Sequence, residues 1–358
     1  MRVPVVRKCF AVRPQASRTA YYGGRRPERT VPLSEEDATD WCSSEHMDES
    51  HDMTSRETAL VLRDRRDALV RVARSAVRDH VPLPVRIERK RAVRYPAFLL
   101  ERKSVARELT EASDRRAFRH ALATRASPMK RGSGYDAVVQ RGKEINVRRV
   151  VRALNGLRIE PGQLFSYHHV VGRPSVLRGF APGPELREGR LALGVGGGAC
   201  QVTNMLLQLG LLGGLEVVER HRHGLDLFPD TGRDVPFGCG ATVFYNMADL
   251  RLRNPHPFPA VWRLHIRDGV LLGALVAPEP LADPISVFET VHRFVERDDG
   301  WWRENRVVRE AGGRREEVLH NVARTAYTPA EVSAPRQHLR PAGLRWDARS
   351  DDLGFAPR

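Results

Sequence analysis

Residues 194–215, GVGGGACQVTNMLLQLGLLGGL, join a run of glycines to a run of large apolar side chains. Val202, Met205, Leu206, Leu209 and Leu212 recur at i, i+3, i+4, i+7 and i+10, the period of one helical face. Such a helix is stable only inside a core, so the rest of the chain must supply the elements that cover it. The segments after it do so with strand-forming sequence. LEVVERHRH and GATVFYN are β-branched, and FPAVWRLHIRDGVLLGALVA reads as a hairpin turning at Asp268–Gly269, with Ala260, Trp262, Leu264 and Ile266 on one face. The expected class is α+β: a mixed, largely antiparallel sheet packed with a central helix that a Gly-rich loop leads in.

Upstream of that region the composition changes. Residues 1–53 mix arginine, proline, serine and acidic residues with few apolar ones, the signature of a disordered extension. Residues 54–83 read as a basic helix and linker: TSRE at 54–57 has the capping-box spacing, and VPLPV at 81–85 breaks the helical pattern. Residues 84–330 form the expected main domain and 331–358 a flexible C-terminal tail. Within the domain, a partly helical segment is expected around RKSVARELTEASDRRAFRHAL. A helix over NVRRVVRALNG has Asn146 as its N-cap and Gly156 at its C-terminal end. IEPGQLFSY turns through Pro161–Gly162 into a strand, and the stretch from Phe294 to Pro329 reads as short strands or loops anchored by Trp301 and Trp302.

The formal net charge is +15, carried almost wholly by arginine, since Lys8, Lys90, Lys103, Lys130 and Lys143 are the lysines. Nucleic-acid recognition motifs are missing, so charge alone does not make this a nucleic-acid-binding chain. Four cysteines, Cys9, Cys42, Cys200 and Cys239, form no disulfide framework or CxxC pair. The apolar runs fall well short of the roughly 20 residues a membrane span needs, and the basic opening makes a poor export signal. A cytoplasmic protein is expected, with peripheral membrane contact through the basic N-terminal region.

Chemistry concentrates around Cys200. At a helix N-terminus the dipole and the unpaired amides favour a thiolate, while Gly196, Gly197 and Gly198 let a ligand approach the backbone closely. If ERHRH is extended, His221 and His223 share a face, and either can serve as base for Cys200. Asp226, Asp230, Asp234 or Asp249 can orient the imidazole; Asp230 and Asp249 join Cys200, His221 and His223 as the catalytic candidates. Gln201 and Arg233, with the three glycines, are the candidate ligand-binding residues. Three other readings compete: a structural cysteine in a core, a non-catalytic anion cradle, and a zinc site from Cys200, His221, His223 and Cys239, whose spacing matches no usual zinc pattern. No cofactor and no metal are expected.

The segments NGLRIEPGQLFSYHHVVGRP, GVGGGACQVTNML and VVERHRHGLDLFPDTGRDVPFGCGATVFYNMADLRLRN, followed by the hairpin, resemble the VanW family, named for an accessory protein of B-type vancomycin-resistance clusters. The resemblance covers roughly residues 85–330. It implies a cell-envelope role connected with glycopeptide resistance and a peptide or cell-wall precursor as ligand, without specifying a reaction. Thiol-dependent acyl transfer or hydrolysis at Cys200 is one expectation; a non-catalytic binding or scaffold module with a structural cysteine is the other.

Overall fold

The computed structural model describes residues 82–358 apart from 103, 112, 131–135, 188–189, 223, 228, 231–233, 333–336, 347–354 and 357–358. The expected N-terminal extension and the basic helix opening at TSRE lie outside the described residues. The helices are α1 (Leu83–Glu101), α2 (Ala137–Leu154), the short α3 (Tyr167–Val171) and α4 (Cys200–Leu212). Strands β1 (His120–Pro128), β2 (Arg158–Ile159), β3 (Leu164–Ser166), β4 (Pro182–Arg187), β5 (Arg190–Val195) and β6 (Glu216–Glu219) come first. They are followed by β7 (Leu225–Asp226), β8 (Arg251–Arg253), β9 (Ala260–Arg267) and β10 (Val270–Ala277). β11 (Ser286–Arg297), β12 (Gly300–Ala311), β13 (Arg314–Thr325) and β14 (His338–Leu339) complete the main sheets.

The α+β expectation holds, with α4 at the centre. Its predicted stripe is buried, but so are Leu207, Leu211 and Gln208 on its other sides, so this helix is enclosed all round. Against it lies an antiparallel sheet ordered β1-β10-β9-β2. The β9–β10 hairpin turns where expected, with Asp268 and Gly269 both at positive φ (49° and 72°), the conformation a tight two-residue hairpin turn requires. β10 is buried on both faces because Phe118, Val261, Leu272 and Val276 form a second small core beneath it, with Leu344 and Trp346 packed on.

That second core corrects the expected C-terminal tail. Trp346 donates its indole N–H to the Phe118 carbonyl at 3.0 Å, the Ala342 amide donates to Thr124, and Leu339 is buried in a sheet strand. Residues 338–346 are therefore part of the body. Two further expectations change. A helix opens within VPLPV, the expected linker: α1 begins at Leu83 with proline in its first turn, where a missing N–H costs nothing. The expected helix around 102–122 is instead a 3₁₀ turn (Ser113–Ala117) between extended segments. Asn146 is no cap; Asp136 caps α2 through the Val138 amide, and Asn146 sits in mid-helix, fully buried.

The stretch expected as short strands or loops holds the end of β11 and all of β12 and β13, three 12-residue strands in a sheet ordered β14-β11-β12-β13-β7. β7 comes from the loop after β6 and pairs in parallel with β13, so the earlier part of the chain is stitched into this sheet. A small antiparallel sheet, β3-β8-β6, completes the frame and carries most of the candidate site.

Candidate functional site

The glycine loop is a pair of tight turns between β5 and α4, and its shape is set by packing. A Cβ on Gly197 would fall 2.1 Å from the Gly183 carbonyl oxygen, so only glycine fits between α4 and β4. Asn146, reaching from α2, donates to the carbonyls of Gly197 and Ala181, both at 2.8 Å, and accepts from the Ala181 amide at 2.8 Å. The amides of Gly196, Gly197 and Ala199 are spent on Ala181, Gly194 and Gly196. Gln201 ties the start of α4 to the end of β1, donating to Ser127 Oγ and the Pro128 carbonyl at 2.8 Å each.

This clamp presents Cys200 at the first turn of α4, half-buried, with its Sγ 3.6 Å from Thr242 Oγ1. Thr242 forms a two-residue antiparallel bridge with His221, and its amide donates to the His221 carbonyl at 2.8 Å. Residues paired in this way carry their side chains on one face, with Cβ atoms about 5 Å apart. The sulfur's hydrogen-bond partner among the described residues is thus Thr242, and His221 joins the arrangement through its backbone pairing with Thr242.

His221 is oriented by a residue that the sequence reading passed over. Its Nε2 donates to Glu219 Oε1 at 2.8 Å, which leaves Nδ1 as the nitrogen able to accept a proton. Glu219, the last residue of β6, also accepts the Asp249 amide at 3.1 Å. Burial alone would raise its carboxyl, but His221, that amide and the Arg251 guanidinium together hold it below the usual carboxylate range. Strand alternation was the available signal, since Glu219 lies two residues before His221 and shares its face.

Asp249 stands behind this pair as a buried positioning residue. Its carboxylate accepts from Ser166 Oγ at 2.5 Å, from the His168 amide at 3.1 Å and from the Leu250 amide at 2.9 Å, which fixes the start of α3. Tyr167, fully enclosed beside them, has its phenol pushed well above the usual range by burial and then by the nearby Cys200 and Asp249. Cys200, Tyr167 and Asp249 therefore share one electrostatic neighbourhood.

The other candidates lie elsewhere. Asp230 receives both guanidinium nitrogens of Arg303, at 2.8 and 2.6 Å, in a buried network. Arg303 Nε donates to His292 Nε2 at 2.8 Å, and Tyr327 donates to Asp226 at 2.6 Å. Asp234 pairs with Arg125 at 2.7 Å. Cys239 is buried in a turn beside Gly238, its carbonyl accepting from Gln208 at 3.0 Å. His223 and Arg233 lie outside the described residues. Among the described residues, no three His, Cys, Asp or Glu side chains converge as metal ligands.

A central helix led by a packed glycine loop and set against an antiparallel sheet defines the class: an α+β domain. Residues 142–276 match the family model described as VanW like protein. Over 122 residues it is 32% identical to the vancomycin B-type resistance protein VanW of Enterococcus faecalis, a match covering 34% of this chain and 44% of that protein. Over 137 residues it is 29% identical to YoaR of Bacillus subtilis, covering 37% and 43% of the two chains. The matched region thus spans less than half of either relative. No solved structure gives a significant match.

Proposed function

We propose that this protein acts in the cell envelope, in a role associated with glycopeptide resistance, as a thiol-dependent acyltransferase or hydrolase on a peptide or cell-wall precursor. The carrying observation is the Cys200–Thr242–His221–Glu219 arrangement: a part-exposed thiol beside the Thr242 hydroxyl, and a His221, paired with Thr242 through the backbone, whose imidazole is held by the Glu219 carboxylate. In the proposed step His221 Nδ1 takes the Cys200 proton while Sγ bonds to the acyl carbon, and the leaving amine departs with that proton. Water or a second amine then attacks the thioester, giving up a proton to His221 and returning the thiol. The glycine loop supports a second reading, a scaffold module with a structural cysteine, because the amides of Gly196, Gly197 and Ala199 are already spent on Ala181, Gly194 and Gly196 and so are not offered to an oxyanion.

Iodoacetamide labelling with peptide mapping separates the two. On the catalytic reading, Cys200 alkylates at neutral pH faster than a cysteine in the urea-unfolded chain, and His221→Gln slows it at least tenfold at unchanged fold. Cys200 reacting no faster than in the unfolded chain, or a rate indifferent to His221→Gln, makes the cysteine structural. A cytoplasmic location, with the basic N-terminal segment on the membrane surface, belongs to the same proposal and is tested by fractionating cells expressing the full chain and one lacking residues 1–80. The described helices include none long and apolar enough to cross a membrane.

A further inference from the structure

A second feature lies on α2, one turn beyond the Asn146 clamp. A cavity of about 200 Å³ is lined by Arg149, Arg152, Ala153, Val171, Arg178 and Phe180. Three guanidiniums meet there, and among the described residues none of the three pairs with a carboxylate. What sets them apart from other arginines of the chain is that three of them line one cavity.

Two of the guanidiniums have contacts that orient them. Arg178 donates to the carbonyls of Val171 and Arg173 at 2.7 Å each, while no carboxylate among the described residues pairs with it. Arg149 stacks over the Phe180 ring at 5.9 Å. Glycines at positive φ make the room: a Cβ on Gly179 would lie 2.8 Å from Arg149 Cζ, and one on Gly172 would lie 2.6 Å from Arg178 Nη1. The floor is apolar, with Val171 and Phe180 both buried.

We infer that this cavity is a binding site for a phosphorylated organic molecule. Three positive charges without a carboxylate call for a ligand of at least two negative charges, since a single carboxylate would leave most of the positive potential uncompensated. Guanidinium forks match phosphate oxygens two at a time. Phe180 and Val171 offer the organic part of the ligand an apolar surface. The inference stands on the arginines and does not depend on the thiol chemistry proposed for Cys200. The same phosphate chemistry can arrive on a soluble molecule or on a lipid headgroup.

Titration calorimetry of the full chain with inorganic pyrophosphate tests it. Saturable binding is expected, weakened at least tenfold in Arg149→Gln/Arg152→Gln. Both side chains are exposed, so the fold should persist by circular dichroism. The charge-matched variant Arg107→Gln/Arg119→Gln should bind like the parent, which separates a site from general attraction to a basic chain. If the parent shows no saturable binding, or if both double variants lose affinity equally, the inference is overturned. With binding established, co-flotation on phosphatidic acid vesicles that requires Arg149 and Arg152 assigns a lipid source, and its absence assigns a soluble one.

Discussion

Asp230 was singled out by sequence as a carboxylate to orient the catalytic imidazole, and its surroundings make a sharp prediction about stability. Arg303 has no exposed side-chain surface and Asp230 keeps 2% of its own, so the pair exchanges its two hydrogen bonds wholly out of water. The guanidinium is further enclosed by Phe237 at 4.5 Å and Phe294 at 5.5 Å. Asp230→Asn keeps the shape but leaves the buried cation without its main counter-charge, a change that costs about 3–5 kcal/mol when one partner of such a pair is removed. The lower end is expected, because Asp226 remains 3.8 Å from Arg303. Replacing both partners, in Asp230→Leu/Arg303→Met, should cost less than the single change, since no charge is then stranded. Urea unfolding at unchanged m reads the difference as a shift in midpoint. An Asp230→Asn protein within about 1 kcal/mol of the parent, the range of an exposed ion pair, would refute this reasoning. A loss of Cys200 reactivity at unchanged stability would return Asp230 to the catalytic group.

Asn146→Ala removes three hydrogen bonds and strands buried partners on Gly197 and Ala181. At about 1–3 kcal/mol for a stranded group, the unfolding midpoint should drop by a few kcal/mol equivalent, and Cys200 labelling should change as the loop loosens; an unchanged midpoint removes the clamp from the account. A pH dependence should arise from two groups of β11. Burial raises the Glu289 carboxyl to about 7, against the lowering effect of Asn305, so its stabilising contribution is complete below about 4.5 and is lost as pH climbs through 7. Burial and Arg303 draw His292 down to about 4, so its contribution is complete above about 6.5 and is lost as pH falls through 4. The two oppose each other, and Glu289→Gln removes the first. Its stability relative to the parent should therefore rise between pH 4.5 and 7 and level off above, and a difference flat with pH rules the assignment out.

What could be read from the sequence was whatever local periodicity or turn chemistry decides. The α4 stripe, the Asp268–Gly269 turn and the strand after Pro161–Gly162 all fell where the pattern put them. The long strands β11 to β13 did not, for a physical reason: register shifts between Glu289 and Val291, and between Val307 and Val308, break the two-residue alternation that identifies a strand. Asn146 misled because a helix-interior asparagine and a cap look alike until its partners, Ala181 and Gly197, are brought in from other elements.

The site divides along the same line. Cys200, His221 and Asp249 were visible as residue types near a loop and a strand, and Glu219 was within reach of the alternation rule. Thr242 was not, because it reaches the thiol only when the segment after Cys239 folds back to bridge His221. Asp230 could not be separated from Asp249 by sequence, since both are aspartates in the same motif-rich stretch. Arg303, beyond the family-matched residues, takes up one, and the amides of His168 in α3 and of Leu250, just before β8, take up the other. Neither carboxylate bonds the imidazole directly. Asp249 reaches it only through its own backbone amide on Glu219, so a change that empties its side chain should disturb the geometry of His221 before it disturbs any proton transfer.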